Sequence, residues 1–222
     1  MIGGGGVAQT LATKLIANGH DVVIGIRSVT DAELSKDRQM AQPLRDWALA
    51  SGGRVVTLAE PASHGEIVFN ATAGTGSLAA LTEAGSDRLA GKILIDVANP
   101  LDFSQGMPPF LQAEYSGANS LGESIQKAFP KSLVVKAFNT IAAAVMVNPA
   151  LIPADHGLFI AGDDTEAKAQ VTALARDEFG WKSFVDLGDI VGARASESVL
   201  PIWVRLWMTL GTPIVALNVV KG

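Results

Sequence analysis

The sequence predicts an α/β fold in which a mostly parallel sheet lies between two layers of helices. Strand-like and helix-like segments alternate along most of the 222 residues, which is typical of a doubly wound domain. The strand-like segments are short and continuously apolar, as expected for strands that are buried on both faces. A run of glycines, Gly3 to Gly6, directly precedes the first helical pattern, as at the first strand-to-helix turn of this fold class.

The order of the elements can be followed along the chain. Val7, Leu11 and Leu15 lie on one face of a first helix, which ends near Gly19. Ser120-x-x-Glu123 and Asp163-x-x-Glu166 resemble capping boxes that begin two later helices, and a short helix is predicted at 61–65. After the stub formed by the first two residues, the predicted strands cover residues 21–27, 54–60, 66–73, 92–99, 132–139, 156–163 and 182–189.

Composition favours a cytoplasmic protein that acts on a small molecule. The formal net charge is −5, which argues against nucleic acid as a partner. The chain has no cysteine, which excludes disulfides and a thiolate nucleophile and suits a reducing compartment. No secretory leader precedes the glycines. We predict one domain over residues 1–222, with 190–222 as a C-terminal helical extension.

The apolar segment 199–220 has about the length of a membrane span. It contains Arg205 near its middle and is broken by Pro201, Gly211 and Pro213. A central arginine costs about 2.5–3.5 kcal/mol on insertion scales. We therefore expect a buried terminal helix or a homodimer contact, with a membrane contact as the less favoured alternative.

The glycine run matches the fingerprint of a dinucleotide-binding Rossmann fold. In Gly3-x-Gly5-x-x-Ala8 the first glycine permits a tight turn, the second lets a pyrophosphate approach, and the third position must be small. The helix that follows offers free N–H groups to phosphates. Only two residues precede Gly3, whereas a typical strand has about five, so the central strand is expected to be a stub. The alternative is a flexible leader.

Arg27 lies at the end of the second strand, where NAD-binding domains place a carboxylate. A guanidinium pairs with a 2′-phosphate through two parallel hydrogen bonds, whereas a carboxylate would repel it. The hydroxyl of Ser28 can add a third bond. The sequence thus predicts NADP(H) rather than NAD; the alternative is a loop arginine that faces solvent.

Ligands of open parallel sheets bind outside the carboxyl ends of the strands. The segments 73–77, 98–102 and 136–140 follow such ends and contain small or amide residues. Asn99 and Asn139 could hydrogen-bond a ribose or a carboxamide; the alternative for both is loop capping.

No side chains with a suggestive catalytic or metal-binding pattern stand out. The three histidines are far apart in sequence, and His20 is expected to have a structural role at a helix end. We expect Lys136 to be a strand-end or interface lysine rather than a Schiff-base nucleophile. Hydride transfer between two rings needs mainly binding and orientation, so the sequence predicts no catalytic residue and no metal.

Six stretches in order, the glycine turn, "GHDVVIGIRS", "ANPLD", "VVKAFNT", "LFIAGDD" and "DLGDI", resemble NADPH-dependent oxidoreductases of the deazaflavin coenzyme (coenzyme F420) type. The cytoplasmic domain of the six-transmembrane epithelial antigen ferric reductases is similar. The resemblance covers essentially the whole chain. It implies a commonly dimeric protein that binds NADP(H) along the strand ends and passes hydride to a stacked deazaflavin or flavin.

The resemblance also implies positions for the cofactor. Gly4, Gly5, Gly6 and Val7 would cradle the pyrophosphate, and Arg27 with Ser28 the 2′-phosphate. The residues along the rest of the cofactor, toward its nicotinamide end, would be Ala73, Gly74, Gly76, Asn99, Pro100, Asn139 and Ala143.

The acceptor side leaves alternatives open. Residues 99–120 form a long loop where the acceptor should bind, so the acceptor can differ from that of the family. An anionic deazaflavin tail would need basic residues, and Lys127, Lys131 and Lys136 form the cluster predicted there; if they face away from the cleft, a flavin is favoured. The alternatives are a ferric or flavin reductase module and a non-catalytic dinucleotide-binding sensor.

Overall fold

The structure, a computed structural model, describes residues 1–38 and 40–222. Its strands are β1 (Val23–Ile26), β2 (Arg54–Thr57), β3 (Ile67–Asn70), β4 (Ile93–Asp96), β5 (Leu101–Asp102), β6 (Phe110–Leu111), β7 (Leu133–Ala137), β8 (Leu158–Ala161) and β9 (Phe184–Asp186). Its helices are α1 (Gly6–Ala17), α2 (Asp31–Leu34), α3 (Leu44–Ser51), α4 (Ala59–His64), α5 (Ser77–Ala84), α6 (Ser86–Leu89), α7 (Leu121–Ala128), α8 (Ala143–Val147), α9 (Thr165–Phe179), α10 (Ala193–Ser198) and α11 (Leu200–Leu210).

The main sheet confirms the predicted α/β class. β1 pairs in parallel with β2, and β3, β4 and β7 form a parallel row. β8 runs antiparallel to β7, and β9 follows β8 in parallel. The sheet is therefore mostly parallel, with a reversed edge. β5 and β6 form a separate antiparallel hairpin.

The first residues of the chain join the two parts of the sheet. Ile2 bridges to Gly25 on one side and to Asn70 on the other, both in parallel. Its N–H donates to the carbonyl of Phe69 at 2.8 Å, and the N–H of Gly3 donates to the carbonyl of Gly25 at 2.9 Å. The predicted stub therefore occupies the central strand position, and the glycine run is a strand-to-helix turn rather than a flexible leader.

Two hydrophobic clusters cover the two faces of the sheet. One contains Leu11, Trp47 and Phe179 from α1, α3 and α9, and the other contains Leu81 and Ile125 from α5 and α7. Neighbouring residues of one strand point to opposite clusters, because successive side chains alternate across a sheet. This two-sided burial explains why the strands are apolar throughout.

The two capping boxes predicted from the sequence have different outcomes. The capping box at Ser120 is confirmed, since its Oγ accepts from the N–H of Glu123 at 3.1 Å. The box predicted at Asp163 is wrong by one residue: Asp164 caps α9 through the N–H of Ala167 at 2.7 Å. Asp163 instead accepts from the N–H of Ile190 at 2.9 Å.

The C-terminal apolar segment is only partly helical. α11 ends at Leu210, because Gly211 adopts a left-handed conformation with φ of 69°. Of its side chains, Leu200 and Val204 are buried, whereas Ile202 and Leu210 are exposed. The expectation of a buried terminal helix is therefore met on one face alone. Across residues 1–38 and 40–222, no helix combines the length and apolarity that a membrane crossing requires.

Candidate functional site

The carboxyl ends of the parallel strands lie in a row along one edge of the sheet. In spatial order these ends belong to β1, the amino-terminal segment, β3, β4 and β7. The residues that directly follow them are Arg27, Gly3, Ala71, Val97 and Phe138. Each predicted cofactor segment therefore starts from this edge, where ligands of open α/β sheets bind.

The glycine turn leaves room for a ligand at one position and is tightly packed at another. Gly3 has φ of 109°, and a Cβ there would lie 2.5 Å from the carbonyl oxygen of Ala71, so a side chain is excluded. A Cβ on Gly5 would meet no protein atom within 4 Å. Gly5 is the N-cap of α1, and no side chain caps that helix. The first N–H groups of α1 are thus available to a ligand.

The ends of β3, β4 and β7 are tied together. The N–H of Gly74 donates to the carbonyl of Asn99 at 3.1 Å, and a Cβ on Gly74 would collide with the same oxygen. The Nδ2 of Asn99 donates to the carbonyl of Asn139 at 2.8 Å, and the Nδ2 of Asn139 donates back to Oδ1 of Asn99 at 3.0 Å. Because each asparagine braces the other loop, the capping alternative describes part of their role.

One buried acceptor at this end is unused. Among the residues that the structure describes, Oδ1 of Asn139 has no hydrogen-bond partner, although Asn139 is only 2% exposed. Leaving a buried polar atom unpaired costs on the order of 1–3 kcal/mol. An amide donor from a ligand would relieve that cost.

Phe138 holds this turn in an uncommon conformation. Its φ is 65°, and positive φ in a bulky residue is a genuine outlier that costs on the order of 1–3 kcal/mol. The side chain is fully buried and packs edge-to-face on Phe179 at 5.8 Å between ring centroids. This packing fixes the direction in which the chain leaves β7, and with it the position of Asn139. Phe138 was not predicted from the sequence, because no sequence pattern marks a phenylalanine with a positive φ.

Arg27 is exposed and stands beside the loop after β3. A Cβ on Gly76 would lie 3.7 Å from Nη2 of Arg27. Within residues 1–38 and 40–222, the guanidinium makes no hydrogen bond or ion pair. Ser28 follows it and is exposed as well. A cation without a protein partner is well suited to an anionic ligand.

These features fit NADP(H). The open space at Gly5 and the free N–H groups of α1 suit a pyrophosphate, and the unpaired guanidinium of Arg27 suits a 2′-phosphate. The orphaned Oδ1 of Asn139 suits the carboxamide of a nicotinamide. These sites follow one another in the order of the cofactor's parts.

The other predicted positions lie at the same edge. Val7 is in the first turn of α1, and Ala143 is the first residue of α8, which packs against α1. Pro100 is buried and its carbonyl accepts from the N–H of Gln112 at 2.8 Å. Ala73 is exposed just before Gly74. The structure therefore brings the predicted cofactor residues to one edge.

Lys136 is a buried ion-pair residue, consistent with a structural role rather than a Schiff-base role. Its Nζ lies 2.8 Å from Asp96 Oδ2 and 2.8 Å from Glu197 Oε1, and all three side chains are fully buried. It also donates to the carbonyl of Ala98 at 2.6 Å. Burial by itself would lower the pKa of Lys136, but the two carboxylates outweigh it and raise the pKa, so the ammonium stays charged.

The predicted basic cluster does not exist at the cleft. Lys127 is in the last turn of α7 and Lys131 precedes β7, so both exposed side chains lie at the opposite, amino-terminal edge of the sheet. Lys136 is buried. The prediction of a lysine cluster on the acceptor side is therefore wrong.

The long loop 99–120 forms the β5–β6 hairpin beside the nicotinamide end. Asp102 pairs with Phe110 across the hairpin. Phe103, Met107 and Phe110 are each more than half exposed. The hairpin, which begins two residues after Asn99, thus exposes large apolar side chains.

Two of the three histidines, His20 and His64, are remote from this edge. Nε2 of His20 lies 3.1 Å from Glu178 Oε1, and Nε2 of His64 lies 3.1 Å from Asp21 Oδ2. Both pairs are at the amino-terminal ends of the strands. His156 differs, because it lies two residues before β8, which runs antiparallel to β7 and therefore begins at the edge where β7 ends; its Nδ1 lies 2.7 Å from the carbonyl of Ala154.

Comparison with known proteins gives a family model, a solved structure and two curated relatives that are similar to this chain. The family model described as "NADP oxidoreductase coenzyme F420-dependent" matches residues 1–100. The crystal structure of a candidate F420-dependent NADP reductase from Arthrobacter sp. FB24 is 43% identical with a TM-score of 0.91, and the alignment covers 99% of this chain and 97% of that one.

Two curated relatives are longer proteins. Metalloreductase STEAP3 of Rattus norvegicus is 34% identical over 211 residues, which cover 91% of this chain and 37% of that protein. Metalloreductase STEAP2 of Homo sapiens is 28% identical over 221 residues, which cover 98% of this chain and 38% of that protein. The chain thus spans less than two fifths of the length of these relatives.

Proposed function

The chain belongs to the family of coenzyme F420-dependent NADP oxidoreductases, and we propose that it transfers hydride between NADPH and the ring of a deazaflavin or flavin. The observation that carries the proposal is the unpaired guanidinium of Arg27, which lies beside Gly76 on the edge that also holds the glycine turn. From β1 to β7, one edge thereby offers a 2′-phosphate site, a pyrophosphate site and an amide acceptor, in the order of the cofactor's parts.

Each group of the protein has a binding or orienting role. The N–H groups at the start of α1 would bind the pyrophosphate, and Arg27 with Ser28 the 2′-phosphate. Oδ1 of Asn139 would accept from the carboxamide, which would orient the nicotinamide ring. When bound, NADPH supplies the hydride itself, so the protein needs to hold two rings in register rather than provide an acid or base.

The acceptor side favours an apolar ring. Phe103 and Phe110 of the hairpin that follows Asn99 are exposed and offer aromatic surface. Lys127 and Lys131 lie at the far edge, so neither can bind an anionic tail of an acceptor in the cleft. This distribution supports a flavin with a short tail more than the deazaflavin coenzyme.

A second candidate function is a reductase module that passes electrons from a flavin to a ferric acceptor or partner. The 34% identity to a metalloreductase over most of this chain favours it, as does the position of Lys127 and Lys131 at the far edge of the sheet. This function shares the NADPH site with the first one and differs only in the final acceptor.

We also propose a homodimer through α11 and the segment after it. Ile202, Met208 and Leu210 are exposed on α11, and Val219 and Val220 are exposed beyond it. Covering such a patch with a second copy would remove apolar surface from water. Sedimentation of the purified protein, and of a Leu210→Glu variant, would measure the oligomeric state.

The decisive experiment mixes purified protein with NADPH and, in separate reactions, coenzyme F420, FMN, a ferric chelate alone, or a ferric chelate together with a catalytic amount of FMN. Oxidation of NADPH with coenzyme F420 or FMN supports the first function, and oxidation only with the chelate in the presence of flavin supports the second. Binding of NADPH with no turnover for any acceptor would identify a non-catalytic sensor and refute both.

A further inference from the structure

Lys136 belongs to a polar row that crosses three strands beneath the candidate nicotinamide site. Asn70, Asp96 and Lys136 are direct neighbours in the registers of β3, β4 and β7. Asp96 accepts from Lys136 with Oδ2 and from Asn70 Nδ2 with Oδ1, at 2.8 Å each. All three residues are at most 1% exposed, so the row is shielded from water.

The row continues into the loop that follows β3. Nδ2 of Asn70 also donates to Oγ of Ser77 at 3.1 Å, and Oδ1 of Asn70 accepts from the hydroxyl of Thr72 at 2.8 Å. The hydroxyls of Thr72 and Ser77 lie 2.7 Å apart. Because Thr72 and Ser77 flank residues 73–76, the row holds both ends of the loop that contains Gly74 and Gly76.

The other end of the row is anchored by Glu197 of α10. Its Oε1 pairs with Lys136 and accepts from the N–H of Gly122 at 3.1 Å, and its Oε2 accepts from the N–H of Leu121 at 2.9 Å. Glu197 therefore caps α7 and neutralises the lysine at once. A network in which every member is satisfied rigidifies the structure around it.

Lys136 is also close in sequence and space to the two asparagines. It donates to the carbonyl of Ala98, the residue before Asn99, and it lies three residues before Asn139. One ammonium thus connects the loops after β3, β4 and β7. These loops contain the residues expected at the nicotinamide half of the cofactor.

We propose that Lys136 is a positioning residue that sets the relative placement of the three loops that receive the nicotinamide half of NADPH. The proposal rests on the proposed function. Stability by itself does not require such a cluster, because well-packed apolar residues often replace a buried ion pair without loss. The three cross-strand members lie at or next to the carboxyl ends of their strands, at the edge of the candidate site.

The proposal predicts different effects on the binding of the two halves of the nucleotide. Within residues 1–38 and 40–222, no side-chain hydrogen bond joins the row to Arg27 or to the first turn of α1, so loss of the row should leave the phosphate sites intact. Adenosine 2′,5′-bisphosphate has the adenosine end with the 2′-phosphate but lacks the nicotinamide half. Its affinity therefore reports on one half of the site, and that of NADPH reports on both.

The test is titration calorimetry of the full chain with each of these two ligands. The neutral triple variant Lys136→Met, Asp96→Asn, Glu197→Gln removes the charges without leaving one unpaired. We expect its dissociation constant for NADPH to rise by roughly fivefold or more, whereas that for the bisphosphate stays within about twofold. Leu89→Ala, which opens a cavity in α6 at the amino-terminal edge of the sheet, where Ser132 Oγ donates to the carbonyl of Leu89, is the control for general destabilisation and should leave the ratio of the two constants unchanged.

Ser77→Ala provides an independent test, since it removes one hydroxyl at the end of the row with little risk to folding. Ser77→Ala should also raise the dissociation constant for NADPH relative to that for the bisphosphate. An unchanged ratio in folded Ser77→Ala and triple variants would overturn the proposal, and so would a parallel loss for both ligands. Wild-type protein that binds neither ligand would refute the proposed function, and that titration comes before any variant.

Discussion

Arg27 and Lys136 are both basic residues at or next to the carboxyl end of a parallel strand, yet their surroundings are opposite. Arg27 is exposed and has no hydrogen-bond or ion-pair partner in the described part of the chain, residues 1–38 and 40–222. Lys136 is fully buried between two carboxylates and a carbonyl. The first cation is available to an anion from outside, and the second is already neutralised from within.

The difference shows that a charge in a sequence motif does not by itself define a binding site. Lys136 stands in the "VVKAFNT" stretch, one of the most specific of the chain, but its charge serves neighbouring strands. Arg27 makes no hydrogen bond or ion pair within the described residues and stands where a 2′-phosphate is expected. The comparison predicts that changes at Lys136 act on folding and on the nicotinamide half of the site, whereas changes at Arg27 act on the choice between NADPH and NADH.

The largest effect is expected for Lys136→Met. It leaves Asp96 and Glu197 buried without their cation, which costs about 3–5 kcal/mol in free energy of unfolding. Urea denaturation measures the loss. The matched control is Arg27→Met, which should stay within about 0.5 kcal/mol of the parent because Arg27 is exposed. Equal stability of the two variants would remove the contrast between the two cations.

The second-largest effect is expected on the affinity for the nucleotide. Arg27→Ala should weaken NADPH binding by about 1.5–3 kcal/mol, because a charge-assisted pair with the 2′-phosphate is lost. NADH has no 2′-phosphate, so its affinity should hardly change. Fluorescence titration with both nucleotides checks this. Similar losses for NADPH and NADH would mean that Arg27 does not contact the phosphate.

Arg27 and Lys136 also show which parts of the structure can be predicted from the sequence. The strands, the glycine turn and the position of Arg27 follow from local patterns, because apolar runs and glycine spacing reflect local backbone requirements. The partners of Lys136 do not, since Asp96 and Glu197 are 40 and 61 residues away and meet it only in the folded chain. The lysine cluster failed for the same reason: proximity in sequence placed Lys131 and Lys136 together, whereas the strand between them separates them.

Gly5→Ala sharpens the comparison at the exposed edge. A Cβ at Gly5 meets no protein atom within 4 Å, so the free energy of unfolding should change little. The methyl group would occupy space expected for the pyrophosphate, and NADPH affinity should fall by roughly 1 kcal/mol, the value of one hydrogen bond. Thermal unfolding and nucleotide titration of the same sample test both statements. A clear loss of stability without a loss of affinity would contradict them.

The smallest effect is expected for the ion pair between Arg194 and Glu123, which is partly buried and so lies between the exposed Arg27 and the buried Lys136. Nε of Arg194 donates to Glu123 Oε2 at 2.7 Å, and this bond is the main reason that the pKa of Glu123 lies below its ordinary value of 4.5. A lowered carboxyl pKa stabilises the fold above that ordinary value, and the contribution is lost as pH falls through the folded-state pKa. Arg194→Gln should thus be slightly less stable than the parent at pH 7, and the difference should shrink below the ordinary pKa. Urea denaturation at pH 7 and at a pH below the ordinary carboxyl pKa measures the difference in the free energy of unfolding between the two proteins. A difference that grows in acid would contradict the role given to the bond between Arg194 and Glu123.

The most direct test of the account is calorimetric titration of the wild-type protein with NADPH and with NADH. The unpaired guanidinium beside the glycine turn predicts that NADPH binds at least about tenfold more tightly, equivalent to about 1.4 kcal/mol. Equal affinities for the two nucleotides, or no binding of either to folded protein, would contradict the claim that this edge of the sheet is an NADP(H) site.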